Sequence, residues 1–508
     1  MNKRPNILFI TSDQWRGDCL SALNHPCIKT PNYDALAADG VLFSNHYSVC
    51  APCAPARASL LTGMYMQNHR VVRNGTPLDH RFTNLAFELR KGGYTPTLFG
   101  YTDTSLDPRV NPLESVIEHG YENILPGFEE GLLLPDSDPR PWINHLREHG
   151  YTIDQVGDVY RQVENDENRS RSFAPTCVQD EHSQTAFLTQ KTIDYLEQSE
   201  PGWCVHLSYL RPHPPFVASA PWHAMYSPDE VPEPERAASP DLEGAVHPWV
   251  NAALGEHGDW PAPWMRKALR SASYEAELRQ LRATYYGLVS KVDHYFGKLV
   301  AYLKASGQYD DTIIVLTADH GELLGDHWMF GKRGYFDSAY HIPLIIRAPD
   351  PMHPQRNHID RALTESIDVM PTLLDLLDLD IPRQCDGLSL KNVLRGQPLP
   401  SSRGELHWEY DFREVADSGL EQAMGVTMDD SHLNVIRDAR FKYVHFPSLP
   451  PLLFDLQNDP AQTRNLVDDP EYAIDALRLQ RQMLSWRMRN DERTLTHMEV
   501  TREGILER

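Results

Sequence analysis

Three short apolar runs, each followed closely by acidic or histidine side chains, constrain the fold of this chain most strongly. The runs are Asn6–Thr11, Thr312–Thr317 and, less regularly, Val205–Tyr209. Nearly continuous apolar segments of this length are typical of strands that are covered on both faces of a parallel sheet. The sequence therefore predicts a buried and largely parallel central sheet.

Helical patterns separate these runs. The strongest covers Glu277–Ser306, where apolar side chains recur at every third or fourth position along one face. Shorter helices are predicted between Thr30 and Gly40 and over Thr83–Lys91. Strands that alternate with helices predict an α/β fold, in which helices flank a large, mostly parallel sheet.

Polar residues beyond the strands define a candidate site. Asp13 follows the first run, His213 follows Val205–Tyr209, and Asp319-His320 follow the third run. In sheets of this kind, ligands bind outside the carboxyl ends of the strands. We therefore expect these distant residues to converge at one edge of the sheet.

Composition excludes several classes of protein. The chain has 508 residues, 41% of them hydrophobic, and a formal net charge of −23. This hydrophobic content is too high for a disordered chain, and the acidic field would repel nucleic acid. No run of roughly 20 apolar residues occurs, so no membrane-spanning segment is predicted.

The cysteines and the first residues predict a cytoplasmic location. The chain has seven cysteines, an odd number, and only Cys50 and Cys53 lie close together. This pattern is typical of reduced thiols in a cytosol rather than of a disulfide framework. The apolar run Asn6–Ile10 meets Asp13 too soon to be the apolar region of a signal peptide.

Two domains are predicted from the change in sequence texture. Residues 1–379 form a large α/β domain that carries the candidate site, with a Pro- and Trp-rich insertion at 211–275. Residues 380–508 form a smaller antiparallel α+β domain, in which two strands lie within Asn434–Phe446 and a helix covers about Pro470–Met488. A polar tail follows that helix.

The sharpest local motif surrounds Cys53. It reads Cys53-Ala54-Pro55-Ala56-Arg57 and continues to Thr62-Gly63. One interpretation is a buried cysteine in a loop that enters a helix. Another is redox or zinc chemistry by Cys50 and Cys53, although zinc needs further ligands and a dithiol would leave Arg57 unexplained.

A third interpretation rests on a resemblance. The motif resembles the signature of type I sulfatases, members of the alkaline phosphatase superfamily in which this cysteine is oxidised to formylglycine, an aldehyde. The resemblance covers nearly the whole chain, through Asp13-Gln14, Thr317–His327, Lys332, Ser366–Thr372 and Leu453–Leu456. The segments most similar to bacterial phosphonate monoester hydrolases are Gly100–Thr102, Arg211–Pro221, Tyr443–Phe446 and Ser485–His497.

This resemblance implies a metal-dependent hydrolase of phosphonate monoesters that also acts promiscuously on phosphodiesters and sulfate esters. It implies that the hydrated formylglycine at position 53, a gem-diol, attacks the ester and forms a covalent intermediate. The alternative within the class is an arylsulfatase on the same scaffold. A thiol-redox protein and a non-catalytic scaffold are more remote alternatives.

The resemblance also assigns a metal site. The expected ligands of one divalent ion are Asp13, Gln14, Cys53, Asp319 and His320. Oxygen donors with one imidazole suit Mn²⁺, with Ca²⁺ or Mg²⁺ as alternatives, better than they suit a metal that prefers thiolates.

Further residues are assigned to catalysis and substrate binding. Besides Cys53, the expected catalytic residues are Arg57, which orders the formylglycine, and Lys332 and His213, which bind the anion and help to protonate the leaving group. The expected substrate contacts are Asn74, Tyr101 and Asp103. Asp103 stands where the similar hydrolases carry Thr, and its carboxylate would disfavour an anionic substrate unless it is paired.

The expected partners follow from the same resemblance. They are a small anionic ester, the maturation enzyme that generates formylglycine, and further copies of the chain. The tail from Asn490 to Arg508 is too polar to form a core of its own, and the resemblance implies that it wraps a neighbour in a homodimer or homotetramer.

Overall fold

The computed structural model describes residues 4–163, 172–255, 273–350, 352–399, 403–416 and 419–507. In chain order, their strands are β1 (Asn6–Ser12), β2 (Val41–Tyr47), β3 (Cys50–Ala51), β4 (Pro96–Gly100), β5 (Glu129–Leu133), β6 (Cys204–Tyr209), β7 (Thr312–Ala318), β8 (Leu344–Arg347), β9 (His358–Glu365), β10 (Leu406–Asp411), β11 (His432–Arg437), β12 (Phe441–His445), β13 (Leu452–Asp455), β14 (Met498–Thr501) and β15 (Gly504–Glu507). The α-helices are α1 (Pro31–Ala38), α2 (Cys53–Thr62), α3 (Met66–His69), α4 (Leu85–Lys91), α5 (Leu113–His119), α6 (Arg140–Glu148), α7 (Gln184–Leu196), α8 (Pro240–Gly244), α9 (Pro248–Ala253), α10 (Tyr274–Ala305), α11 (Val369–Leu376), α12 (Lys391–Leu394), α13 (Gly419–Met424) and α14 (Ala473–Arg489).

The main sheet has eight strands in the order β5-β4-β6-β1-β7-β8-β2-β9. Strand β8 runs antiparallel to both of its neighbours, and the other pairs are parallel. Strand β1 lies between β6 and β7, so that Ile7 is opposite both Cys204 and Ile313. Every residue of these three strands is buried.

The strands are apolar on both sides because the sheet has a core on each face. Leu8 and Ile10 of β1 belong to one core, and Ile7 and Phe9 belong to the other, as the two-residue period of a strand requires. The apolar stripe of α10 packs into the first core, and α11 packs into the second.

The second sheet has five strands in the order β13-β12-β11-β10-β3. Its pairs are antiparallel except that β10 runs parallel to β3, with Glu409 opposite Cys50. The sheet thus joins the C-terminal strands to a segment directly before Cys53. Helix α14 packs through Leu479 and Met483 against Ile436 of β11.

The predicted fold class is confirmed, a large mostly parallel sheet with flanking helices and a smaller sheet of C-terminal strands. The long predicted helix is α10, which begins at Tyr274. The helix predicted from Thr83 begins later, at Leu85, because the Asn84 side chain caps it by accepting a hydrogen bond from the backbone N–H of Phe87 at 3.1 Å.

The two ends of the predicted C-terminal domain differ in what the structure shows of them. The polar tail contains the hairpin β14–β15, and the division at residue 379 stays a prediction. Within the predicted insertion at 211–275, residues 256–272 lie outside the described residues, as does Arg508. Among the helices that the structure describes, none combines the length and the apolar character needed to cross a bilayer.

Candidate active site

The parallel pairing of β1 with β7 brings the residues after these strands together. Asp13 follows β1 and Asp319 follows β7, and both side chains are buried. The backbone N–H of Gln14 donates to Oδ1 of Asp319 at 3.1 Å. Two carboxyl groups that are 306 positions apart in sequence therefore share one edge of the sheet, as the strand pattern predicts.

Cys53 reaches the same edge from the start of α2. Its Sγ lies 3.3 Å from Nε2 of His320 and 3.2 Å from Nζ of Lys332. Burial and the charge of Asp13 raise the pKa of the Cys53 thiol well above its usual value, although Lys332 opposes this shift. An unmodified thiol here is neutral at pH 7, whereas reactive cysteines have lowered pKa values.

The donor set at this edge fits a divalent cation. Asp13, Cys53, Asp319 and His320 each offer a ligand atom, and these atoms lie within 4.8 Å of one another. Oδ1 of Asp13 has no hydrogen-bond partner among the described residues. His320 donates from Nδ1 to the carbonyl oxygen of Gly321 at 3.0 Å, which leaves the Nε2 lone pair for a metal. A buried, unpaired carboxylate oxygen beside a free imidazole nitrogen is what a cation would satisfy.

Arg57 is held by three carboxyl groups. Its Nε lies 3.0 Å from Oδ2 of Asp319 and 3.3 Å from Oδ2 of Asp103. Its Nη2 donates to Oδ2 of Asp13 at 3.1 Å. Because the guanidinium is almost fully buried, it neutralises part of the negative charge and fixes the carboxyl groups in place.

The carboxyl groups differ in their protonation. Burial and the nearby Asp13 raise the pKa of Asp319 to about 6. Burial also raises the pKa of Asp103 well above its usual range, although Arg57 opposes the shift. For Asp13, the positive charges of His213, Lys332 and Arg57 outweigh the effect of burial and hold its pKa below the usual range. Of these carboxyl groups, Asp13 is therefore the one that binds a proton least readily.

Lys332 and His213 line the cavity beside Cys53. Lys332 donates to Oε1 of Gln14 at 2.7 Å. Burial disfavours its ammonium group, but the nearby Cys53, Asp13 and Asp319 outweigh this and raise the pKa of Lys332 above its usual value. Burial lowers the pKa of His213, whose Nδ1 donates to the carbonyl oxygen of the next residue at 2.7 Å.

The three residues assigned to substrate binding have different positions. Asn74 lines the cavity and accepts, through Oδ1, the backbone N–H of Ala54 at 3.0 Å. Tyr101 is buried, and its hydroxyl donates to Oδ2 of Asp13 at 2.8 Å. Asp103 has a φ of +51°, which is uncommon for residues other than glycine, and its carboxyl group is paired with Arg57.

The cavity has a volume of about 490 Å³ and is lined by residues that follow strands of the main sheet and by residues in and after β10 of the second sheet. Its lining includes the polar side chains of Gln14, Asn74, His213 and Lys332 and an aromatic wall made of Phe216, Phe330, Tyr410 and Phe412. Arg73 and Glu414 also line it and form an ion pair at 3.0 Å. The cavity therefore offers both charged groups and apolar surface.

Sequence reasoning missed two parts of this site. Glu322 is fully buried and contacts the side chain of Gln14, and its position three residues after Asp319 could have signalled it. Tyr410 lies in β10, an inner strand of the second sheet, and Phe412 directly follows that strand. No local motif marks them, because they reach the cavity through contacts between segments that are distant in sequence.

These features define the class of protein, a hydrolase of the alkaline phosphatase superfamily. The chain belongs to the sulfatase family, since the family model described as Sulfatase matches residues 5–379. A second model, described as N-sulphoglucosamine sulphohydrolase, C-terminal, matches residues 325–489. Members of the family generally use a divalent metal ion and a formylglycine.

Individual relatives narrow the similarity. The chain is 40% identical, over 99% of both sequences, to the multifunctional alkaline phosphatase superfamily protein PehA of Trinickia caryophylli. The crystal structure of a phosphonate monoester hydrolase of Agrobacterium radiobacter superposes with a TM-score of 0.93 at 42% identity, over 99% of this chain and 100% of that one. The phosphonate monoester hydrolase SpPMH of Silicibacter pomeroyi also gives a TM-score of 0.93, at 43% identity over 99% of each chain.

Proposed function

We propose that this protein hydrolyses phosphonate monoesters, and more promiscuously phosphodiesters and sulfate esters. The observation that carries the proposal is the position of Cys53. Its Sγ is buried among an imidazole, an ammonium group and an unpaired carboxylate oxygen. Lys332, which contacts Cys53, also lines a cavity large enough for a small ester. Full-length similarity to two phosphonate monoester hydrolases supports this choice of substrate.

We further propose that Asp13, Gln14, Asp319 and His320 hold one divalent ion, Mn²⁺ before Ca²⁺ or Mg²⁺, next to a formylglycine derived from Cys53. The ion supplies positive charge that stabilises an anionic ester, and the hydrated aldehyde supplies a hydroxyl nucleophile. The raised pKa of the unmodified Cys53 thiol supports a modified residue over a thiolate nucleophile.

The remaining side chains have distinct tasks in this proposal. Lys332 binds an anionic oxygen of the substrate, because its ammonium group stays charged at neutral pH. His213 exchanges a proton with the leaving-group oxygen through Nε2, because its Nδ1–H is held by a backbone carbonyl. Asn74 holds the first turn of α2, and Arg57 and Tyr101 orient Asp13.

The aromatic wall accommodates the ester group. Phe216, Phe330, Tyr410 and Phe412 line the same cavity as Lys332 and His213. An aryl or alkyl leaving group buried there would be removed from water while the anion remains at Lys332. This division favours esters with one charged and one apolar end.

Several further expectations belong to this proposal. They are a cytoplasmic location, a formylglycine-generating partner enzyme and assembly into a homodimer or homotetramer. Apolar side chains near the C-terminus support the assembly, since Leu484, Met488, Val500 and Ile505 are each at least 62% exposed. Gel filtration of a chain that ends near Arg489 would test it, and an unchanged assembly size would reject a role for the tail.

The proposed function is tested by the state of residue 53 and by substrate ranking. Peptide mass spectrometry of active protein should find an aldehyde in place of the Cys53 thiol. Cys53→Ala should lower kcat/KM for 4-nitrophenyl phenylphosphonate by about 10⁴-fold or more, as removal of a nucleophile does. Cys50→Ala is the matched control, because Cys50 is also a buried cysteine but its Sγ is hydrogen-bonded to the hydroxyl of Ser59, at 3.2 Å, which has no role in the proposed chemistry. Faster turnover of 4-nitrophenyl sulfate than of the phosphonate would instead favour the arylsulfatase alternative.

A further inference from the structure

The side-chain amide of Gln14 lies between a cation and a carboxylate. Its Oε1 accepts a hydrogen bond from Nζ of Lys332 at 2.7 Å, and its Nε2 donates to Oε2 of Glu322. The same ammonium group lies 3.2 Å from Sγ of Cys53. The oxygen end of the amide is therefore the end on the Cys53 side.

The two neighbours determine this orientation by their chemistry. A lysine ammonium group can only donate hydrogen bonds, and a carboxylate can only accept them. Lys332 therefore requires the oxygen of Gln14, and Glu322 requires the nitrogen. A carbonyl oxygen has two lone pairs, so the oxygen that accepts from Lys332 can also bind a cation.

Glu322 is itself fixed in position. Its side chain is fully buried, and its Oε1 accepts the backbone N–H groups of Leu324 at 2.8 Å and of Gly331 at 2.6 Å. The bond to Gly331 also places the loop that carries Lys332. One carboxylate oxygen thus anchors the loop while the other meets Gln14.

The backbone of Gln14 is also fixed by hydrogen bonds. Its φ is +67°, a left-handed conformation that costs free energy for a residue with a side chain. The hydroxyl of Tyr285 donates to the carbonyl oxygen of Gln14 at 2.7 Å. Asp319 accepts its N–H. A residue restrained on both its backbone and its side chain is preorganised for a single orientation.

We propose that Glu322 is a positioning residue, which selects the orientation of the Gln14 amide that presents oxygen to the divalent ion. The proposal rests on the proposed function for the identity of the metal ligands. Partners of this kind orient the ligands of a metal, and their loss costs about 10- to 100-fold in metal affinity.

The test is the isosteric variant Glu322→Gln. The oxygen of the new amide keeps the two backbone N–H groups, so its NH₂ group meets Gln14. Gln14 must then rotate its own oxygen toward position 322, and its NH₂ group turns toward Lys332 and the ion. We expect the Kd for Mn²⁺ of the chelator-treated full chain, measured by isothermal titration calorimetry, to rise by about 10- to 100-fold.

A reversed pair separates orientation from general damage. In Q14E/E322Q, the new carboxylate at position 14 accepts from the new amide and again offers oxygen to the ion. Its Kd for Mn²⁺ should fall back to within about 5-fold of the wild-type value, well inside the 10- to 100-fold loss expected of the single variant. Glu243→Gln is the matched control, because Glu243 is buried and its two carboxylate oxygens are paired elsewhere, with His327 at 3.0 Å and with the backbone N–H of Ala237 at 2.7 Å.

Each outcome decides the proposal. An E322Q chain that binds Mn²⁺ within about threefold of wild type would overturn it, since orientation would then not depend on Glu322. A reversed pair that folds, by its thermal midpoint, but binds no better than E322Q would also overturn it. If E322Q alone does not fold, tight Mn²⁺ binding by the reversed pair supports the proposal. Wild-type protein that binds Mn²⁺ but hydrolyses no ester would refute the proposed function and leave the affinity comparison intact.

Discussion

Among the residues that the structure describes, two groups of side chains offer carboxylate and histidine donors within 4.8 Å of one another, and one of them suits a metal better than the other. The buried cluster consists of Asp13, Cys53, Asp319 and His320, and the surface cluster consists of Asp79, His80 and Asp107. In the buried cluster, Oδ1 of Asp13 has no partner among the described residues. In the surface cluster, arginines already occupy both carboxylates.

The pairing in the surface cluster is complete. Asp79 accepts from Arg81 at 2.7 Å and from Arg109 at 3.0 Å, and Asp107 accepts from Arg109 at 2.6 Å and from His80 at 2.9 Å. The chain itself therefore supplies the positive charge there. The comparison teaches that an unpaired, buried acceptor distinguishes a metal site better than the identity of its donors does.

The largest expected difference between the clusters concerns their carboxylates. Asp319→Asn should lower kcat/KM for a phosphonate ester by more than about 100-fold, because a direct ligand matters more than the partners that orient ligands. Asp107→Asn should leave kcat/KM within about threefold of wild type, since Asp107 is paired with Arg109 and His80 outside the buried cluster. Steady-state kinetics at saturating Mn²⁺ would measure both. Equal losses of kcat/KM in the two variants would show that the two clusters do not differ in their importance for catalysis.

Metal removal and titration test whether Mn²⁺ binds at the buried cluster, at the surface cluster or at both. Chelation should abolish most activity, and Mn²⁺ should restore it, because the carboxylates of the buried cluster repel one another without a cation. Titration calorimetry should then show one tight Mn²⁺ site per chain, which His320→Ala abolishes and His80→Ala leaves unchanged. Two sites of similar affinity would mean that the arginines of the surface cluster do not exclude a metal.

The sequence predicts the strands that carry the buried cluster, but it does not predict most of the side-chain contacts around that cluster. The apolar runs of β1 and β7 are visible because both faces of the sheet are covered, and parallel pairing then places Asp13 near Asp319. The contact between Glu322 and Gln14 cannot be predicted from the sequence, because it involves a left-handed backbone conformation at Gln14 that no local pattern indicates. The aromatic wall cannot be predicted either, because Tyr410 reaches the cavity through contacts between segments that are distant in sequence.

A smaller effect concerns Asp103, the acidic residue next to the buried cluster. Because Asp103 is paired with Arg57 at 3.3 Å and burial raises its pKa, we expect its carboxyl group to contribute little net negative charge to the substrate site. Asp103→Asn should then change the ratio of kcat/KM for 4-nitrophenyl phosphate, a dianion, to that for the phosphonate monoanion by less than about threefold. A full charge at this position would change that ratio by about 10-fold or more. Asp13→Asn, which removes a charged carboxylate, is the contrasting variant.

The smallest expected effect is the stability that the surface cluster contributes. Hydrogen bonds from Arg81 and Arg109 hold the pKa values of Asp79 and Asp107 below the usual carboxyl range. A lowered carboxyl pKa stabilises the folded state above the unfolded value of about 4, and this stability is lost as the pH falls toward the lowered pKa. The thermal midpoint of Asp107→Asn should therefore lie slightly below that of wild type at pH 7, and the difference should shrink near pH 3. It should also shrink in 1 M NaCl, where screening acts over about 3 Å. A difference that persists in high salt would show that the surface cluster is not held by solvent-exposed charge alone, and would weaken its contrast with the buried one.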